Sequence, residues 1–222
     1  MTKNFSVGEC FSVGLARFKE HAWFLMGLML FFWVIALLLG YLTEDYFHGI
    51  EPTRSSIDFF SNLILYWLCF GLTVIAFKIL DAKPYSWQDL LIVDKQVLWY
   101  LIGSVLYGFI VVVGLALFIV PGIYLMIRYG FFWYAIVDGR KNVFDAFRES
   151  ARITDGVKWN IMLFGFASIG LILLGVLLFG LGTLVTIPVV MLATAHLYRV
   201  LLRQSMVPLT ETTPTTPNRP VE

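Results

Sequence analysis

The 222 residues carry sixteen Lys and Arg against fifteen Asp and Glu, a net charge of +1, with 14% charged and 59% hydrophobic residues. Soluble domains are about 25% charged, so this balance and a mean hydropathy of +0.81 exclude a water-soluble globule. With no basic run they also exclude a nucleic-acid binder, which leaves membrane phospholipids or other membrane proteins as partners.

The first predicted element is a short amphipathic helix in SVGECFSVGLARFKEHAW, capped by Ser6 with Glu9 three residues on, the pattern of a capping box. Val7, Phe11, Leu15, Phe18 and Ala22 share one face, and Trp23 opens the first span, Ala22 to Leu42. That apolar run has 21 residues and no A-x-A site after it, against about 7–15 for a signal-peptide core, so it is expected to stay as an anchor. The loop TEDYFHGIE holds Glu44, His48 and Glu51 at helical spacing. Gly49 and Pro52 argue against a continuous helix there, so the acids read as a solvated outer loop and no metal is expected.

The second span is Phe59 to Phe77. SWQDLLIVDKQVLW then repeats the first pattern, with Ser86 as cap, Asp89 three residues later, Leu91 five later, and Trp99 opening the third span. That span, Val97 to Val120, and a fourth, Gly122 to Val137, form a hairpin about Pro121. Arg128 lies inside the fourth, where a charge costs roughly 2.5 to 3.5 kcal/mol on insertion scales. Helical side chains lean toward their own N-terminus, so the guanidinium is expected to point back toward Pro121. There it would cap the open carbonyls of the third span, with Tyr124 and Phe132 as aromatic faces; the alternative is a site for an anion or a lipid phosphate.

The third copy is NVFDAFRESARITDGVKW, with Asn142, Asp145, Phe147 and Trp159 in the same order. Val143, Phe147, Ala151 and Thr154 oppose Asp145, Arg148, Glu149 and Arg152. The three short helices are expected to lie in the cytoplasmic interface with the apolar face toward lipid, either as plain connectors between spans or as a basic collar touching anionic headgroups. Trp159 to Gly180 and Gly182 to Tyr198 complete six spans. Pro188 frees the carbonyl of Leu184, which Thr183 and Thr186 are placed to compensate. A Pro- and Thr-rich end, 205–222, reads as a disordered cytoplasmic tail, leaving 1–204 as the transmembrane domain.

Fourteen of the sixteen basic residues fall at the termini and in alternate loops, against Arg54 alone in the loops between. The positive-inside rule puts both termini in the cytoplasm and suits a bacterial inner membrane. Cys10 and Cys69 are expected to be packing residues, unpaired in a reducing compartment. The fold class is therefore all-α: a polytopic protein of six transmembrane helices plus three short cytoplasmic amphipathic helices, in a weak threefold internal repeat.

Pro121, Gly122, Arg128, Asp138, Gly139, Ala146, Ser150, Gly156 and Trp159 form a pattern that resembles bacterial YciC-like membrane proteins and the membrane domain fused to some glycerophosphoryl diester phosphodiesterases. The resemblance implies a polytopic membrane protein and, with no catalytic domain in these residues, no phosphodiesterase chemistry. Together the readings point to a non-enzymatic, lipid-contacting or membrane-organising protein without a cofactor. Arg128, Arg148, Arg152 and Lys158 are its candidate lipid- or anion-binding residues. The alternative is a small transporter or channel for a neutral or anionic solute, since a proton-coupled carrier would keep an acid within a span.

Overall fold

Charge-free runs of this length can satisfy their backbone in lipid only as helices, and helices they are. The computed structural model describes residues 5–42, 51–139, 142–178 and 180–206. In chain order these form α1 (Val7–Glu20), α2 (Ala22–Tyr41), α3 (Glu51–Leu80), a one-turn 3-10 helix (Trp87–Leu91), α4 (Lys95–Leu117), α5 (Ile119–Tyr129), α6 (Phe132–Val137), α7 (Val143–Thr154), α8 (Lys158–Leu177) and α9 (Thr183–Met206). Six segments are long and apolar enough to cross a membrane: α2, α3 from Ile57, α4, α5 with α6, α8 and α9. The chain is an all-helical polytopic membrane protein. Of the expected tail, Ser205 and Met206 instead finish α9; its remainder lies outside the described residues, as do 43–50 of the acidic loop.

Between α4 and α5 only Phe118 is non-helical, and Pro121 sits in the first turn of α5, where an N–H has no helical partner to lose. Trp23 and Trp159 open α2 and α8 with 88% and 69% of their surface exposed, as residues at a membrane–water boundary do.

The three short elements dock in a closed cycle, each on the last helix of another repeat. α1 lies on α9, where a Cβ on Gly14 would stand 2.7 Å from the Val189 carbonyl. The 3-10 helix lies on α3, where a Cβ on Gly71 would stand 2.7 Å from Leu90 Cα, and Trp67 Nε1 donates to the Ile92 carbonyl at 2.9 Å. α7 lies on α5 and α6, where Ser150 Oγ donates to the Arg128 carbonyl at 2.9 Å and accepts from Phe131 N–H at 3.1 Å. The residue four after each cap, Cys10, Leu90 or Ala146, is buried. Burial, with the Glu9 charge adding to it, pushes the Cys10 thiol up to about 11. It therefore stays protonated and packs as a small apolar group.

These docks correct two expectations. The apolar faces of α1 and α7 turn to the helix bundle rather than to lipid. The buried stripe of α1 is Cys10, Gly14 and Phe18, with Leu15 exposed, and Glu149 falls on the buried side of α7. A carbonyl ladder that already has a neighbour within reach is a better partner than a bilayer surface, and small residues permit that approach. The caps are also unequal: Ser6 Oγ accepts from Glu9 N–H at 3.4 Å and Ser86 N–H donates to Asp89 at 2.8 Å, whereas Asn142 makes no side-chain cap.

At the centre of the cycle Phe77 of α3, Tyr134 of α6 and Tyr198 of α9 pack mutually, with ring centroids 5.7–6.1 Å apart. Four residues after Phe77 and Tyr134 stand Asp81 and Asp138, each followed by a left-handed residue, Ala82 (φ 52°) or Gly139 (φ 93°). Arg199 of α9 binds both acids, at 2.9 Å and 2.6 Å, and lies over the Phe77 ring. One side chain of the third repeat thus clasps equivalent acids of the first two. In α9 the helix continues through Pro188; Thr183 Oγ1 donates to Gly180, and Thr186 Oγ1 is buried without a partner, so neither compensates for the proline. Thr186 is turned instead against Gly175 of α8.

Candidate functional site

The fourth span is two helices because its ladder breaks at Gly130 and Phe131. Hydroxyls fill the break. Ser150 takes the Arg128 carbonyl and the Phe131 N–H, Thr154 Oγ1 reaches the same carbonyl at 3.3 Å, and both residues are fully buried. This fixes the backbone of Arg128 against the end of α7, next to the start of α8.

The side chain is held by a tyrosine one turn earlier. Arg128 Nη1 donates to the Tyr124 hydroxyl at 2.7 Å, and Lys158 Nζ, from the first residue of α8, donates to the same oxygen at 3.2 Å. The guanidinium lies 5.8 and 5.9 Å from the Tyr124 and Tyr129 rings, and the ammonium 4.7 Å from that of Tyr124. Asp155 pairs with Lys158 at 3.1 Å. Among the described residues no carboxylate pairs with Arg128, on which the Asp155 charge acts from farther away, and its Nε is buried without a partner. Two cations against one acid leave the cluster positive, and the tyrosine oxygen, accepting twice, keeps its own hydrogen to donate.

The expected contact between Arg128 and the hairpin is not made. The turn closes on itself, with Phe118 N–H donating to Gly114 and Gly122 N–H to Phe118. The guanidinium leans toward the N-terminus of α5 but stops at Tyr124. Phe132 is not its partner, because the break turns that ring onto Phe147, 4.8 Å away; Tyr129 takes its place. Of the four candidate residues, Arg128 and Lys158 come together. Arg148 and Arg152 stand instead on the exposed face of α7, paired with Asp145 at 3.6 Å and Glu149 at 2.6 Å. The shared acceptor, Tyr124, was visible as the i, i+4 partner of Arg128; its meeting with Lys158 spans 34 residues and had no local signal.

Beside the cluster, α5 and α8 diverge. The groove between them, about 410 Å³, is lined by Ile123, Ile127, Ile161, Gly165, Phe166 and Ile169 among others, with α9 as its floor. Its hydroxyls already have carbonyl acceptors, Ser168 on Phe164 and Thr194 on Val190 within their own helices and Tyr107 on Met126 of α5, so the surface offered is mostly apolar. Lys158 is one turn before Ile161 and Met162 on α8, and its bond to Tyr124, which Arg128 shares, gathers the two cations near that end of the groove without lining it.

The arrangement defines a polytopic helical membrane protein with a cationic cluster at the mouth of a lateral apolar groove. No family model, curated protein or solved structure matches the chain.

Proposed function

We propose that this is a non-enzymatic, lipid-contacting protein of a bacterial inner membrane. In this reading it organises the lipid around it by holding anionic headgroups at Arg128 and Lys158. The observation that carries the reading is that Arg128 meets a hydroxyl and, among the described residues, no carboxylate, and shares that hydroxyl with Lys158, whose own acid is Asp155, where a purely structural arginine inside a span would be expected to have an acid. Arg148 and Arg152 supply a weaker, exposed contribution of about 1 kcal/mol each near a charged surface. The distribution of basic residues supports cytoplasmic termini, and the resemblance carried by Pro121 to Trp159 supports a YciC-like family setting.

Native mass spectrometry from gentle detergent tests the reading. Arg128→Met with Lys158→Met should fold with an unchanged melting temperature and lose co-purified anionic phospholipid, and Arg148→Gln with Arg152→Gln should lose less. Undiminished lipid in the first variant would overturn the headgroup site. Cysteine labelling should reach position 48 from outside and positions 93, 148 and 215 only from inside.

A second reading, transport of a neutral or anionic solute, draws on the broken fourth span, since interrupted helices line many transport sites. Here Ser150 and Thr154 already take the Arg128 carbonyl and the Phe131 N–H, which favours the first reading.

A further inference from the structure

Resting on that headgroup reading, we infer that the groove between α5 and α8 receives an acyl chain of the same molecule, so that the ligand is a whole anionic glycerophospholipid seated between helices. The groove is within the ~300–1,000 Å³ of small-molecule sites, its lining is apolar, and it runs from Ile161 to Ile169 on α8, about 12 Å at ~1.5 Å per residue. Lys158 lies on the same stripe of α8 as the lining residues at 161, 162, 165, 168 and 169, spaced by three and four. A phosphate on the ammonium therefore has its glycerol at the head of the groove and its chain along it.

Three donors converge on that phosphate. They are the Arg128 guanidinium, which reaches Tyr124 through Nη1, the Lys158 ammonium, and the Tyr124 hydroxyl, whose hydrogen neither cation needs. A headgroup amine would meet two like charges there, so the site favours a lipid of net negative charge over a zwitterionic one. α8 has few contacts with α5 and is held chiefly by α9, so the chain enters sideways from the bilayer without breaking a packed interface.

Gly165 makes the inference testable. A Cβ built on it meets nothing within 4 Å, so Gly165→Leu enters the groove from a position with room for its first carbon and leaves the cations untouched. The full chain in mild detergent is incubated with an equimolar mixture of phosphatidylglycerol and phosphatidylethanolamine, and retained lipid is read by native mass spectrometry beside the melting temperature. Wild type should retain phosphatidylglycerol preferentially, and Gly165→Leu should reduce it about tenfold or more, since losing a few buried methylenes suffices for that factor. Glycerol 3-phosphate should not displace the lipid.

If Gly165→Leu retains the lipid while Arg128→Met loses it, binding is by headgroup alone and the acyl-chain inference fails with the headgroup reading intact. If Arg128→Met retains the lipid, the headgroup reading fails and this inference with it. A second measurement avoids dependence on the folding of either variant. Phosphatidylglycerol carrying a diazirine on its acyl chain should label wild-type peptides from α5 and α8, and labels confined to other helices would overturn the proposal.

Discussion

Two neighbours of α5 meet it in opposite ways. α7 presses Ala146, Ser150, Ile153 and Thr154 into the bundle until none is exposed, while α8, which begins four residues after α7 ends, stands off and leaves a groove. The difference lies in what each helix offers the broken ladder of the fourth span. α7 carries small residues and two hydroxyls, and a hydroxyl that satisfies a freed carbonyl or N–H ties two backbones together. α8 brings large aliphatic side chains on both sides of a glycine, with nothing for them to bond. Close approach in this molecule follows polar satisfaction and small size, and open space is left where lipid tails are an equally good solvent.

The largest test of the tight side is Gly14→Leu. The added side chain meets the Val189 carbonyl at 2.7 Å and the Ala193 nitrogen at 3.0 Å, and backbone cannot move aside as a side chain can. A loss of about 3 kcal/mol is expected, at the upper end for overpacking, with α1 undocking and becoming open to proteolysis. On the loose side Gly165→Ala should do the reverse, gaining up to ~1 kcal/mol from helix propensity. Equal thermal shifts for the two would erase the distinction.

Next comes Arg199→Met, which leaves Asp81 and Asp138 without their shared cation. With Asp138 only 16% exposed at its side chain, about 2–3 kcal/mol is expected, below the range for fully buried pairs because the cluster is partly wet. Asp138→Asn in the same chain should recover part of it, a coupling that a double-mutant cycle reads directly. Ser150→Ala follows at about 2 kcal/mol, since it orphans the buried Phe131 N–H. Thr154→Val should lose less, because Ser150 still covers the Arg128 carbonyl.

The smallest effect is a pH dependence outside the spans. Partial burial raises the Asp89 carboxyl, but the Lys78 ammonium bond, the Ser86 N–H and the Lys78 charge outweigh it and hold Asp89 below the usual carboxylate range. A lowered folded pKa contributes stability that is present above the unfolded value and lost as pH falls through the folded one. Unfolding midpoints between about pH 7 and pH 3 should therefore drop more steeply in wild type than in Lys78→Met, by less than ~1 kcal/mol for a pair that is partly exposed.

The spans were legible because lipid leaves a charge-free run no alternative to helix. The predicted Ala22–Leu42 and observed Ala22–Tyr41 differ by one residue. The docking stripes were not, since Cys10, Gly14, Ala146 and Ser150 carry little hydrophobicity and a pattern search follows Phe11 and Leu15 instead. The cap spacing did mark three equivalent elements, but which helix each would seat on depends on contacts far apart in the chain. Arg128 was misplaced for a related reason. Its distance from Pro121 along one straight helix was countable, whereas the break at Gly130 and Phe131 and the arrival of Lys158 depended on α7 and α8.

The seat of α1 on α9 also sets an order of assembly. Between Glu20 and Met206 the ribosome must add 186 residues, about 10 to 40 s of synthesis at ~5–20 residues per second. For that interval the stripe of Cys10, Gly14 and Phe18 lacks its most extensive partner, α9. A helix made 186 residues before its main partner is locked only after that partner arrives. A stalled or shortened chain lacking α9 would display an open amphipathic helix at the membrane surface, a form that quality-control proteases can distinguish from the finished protein.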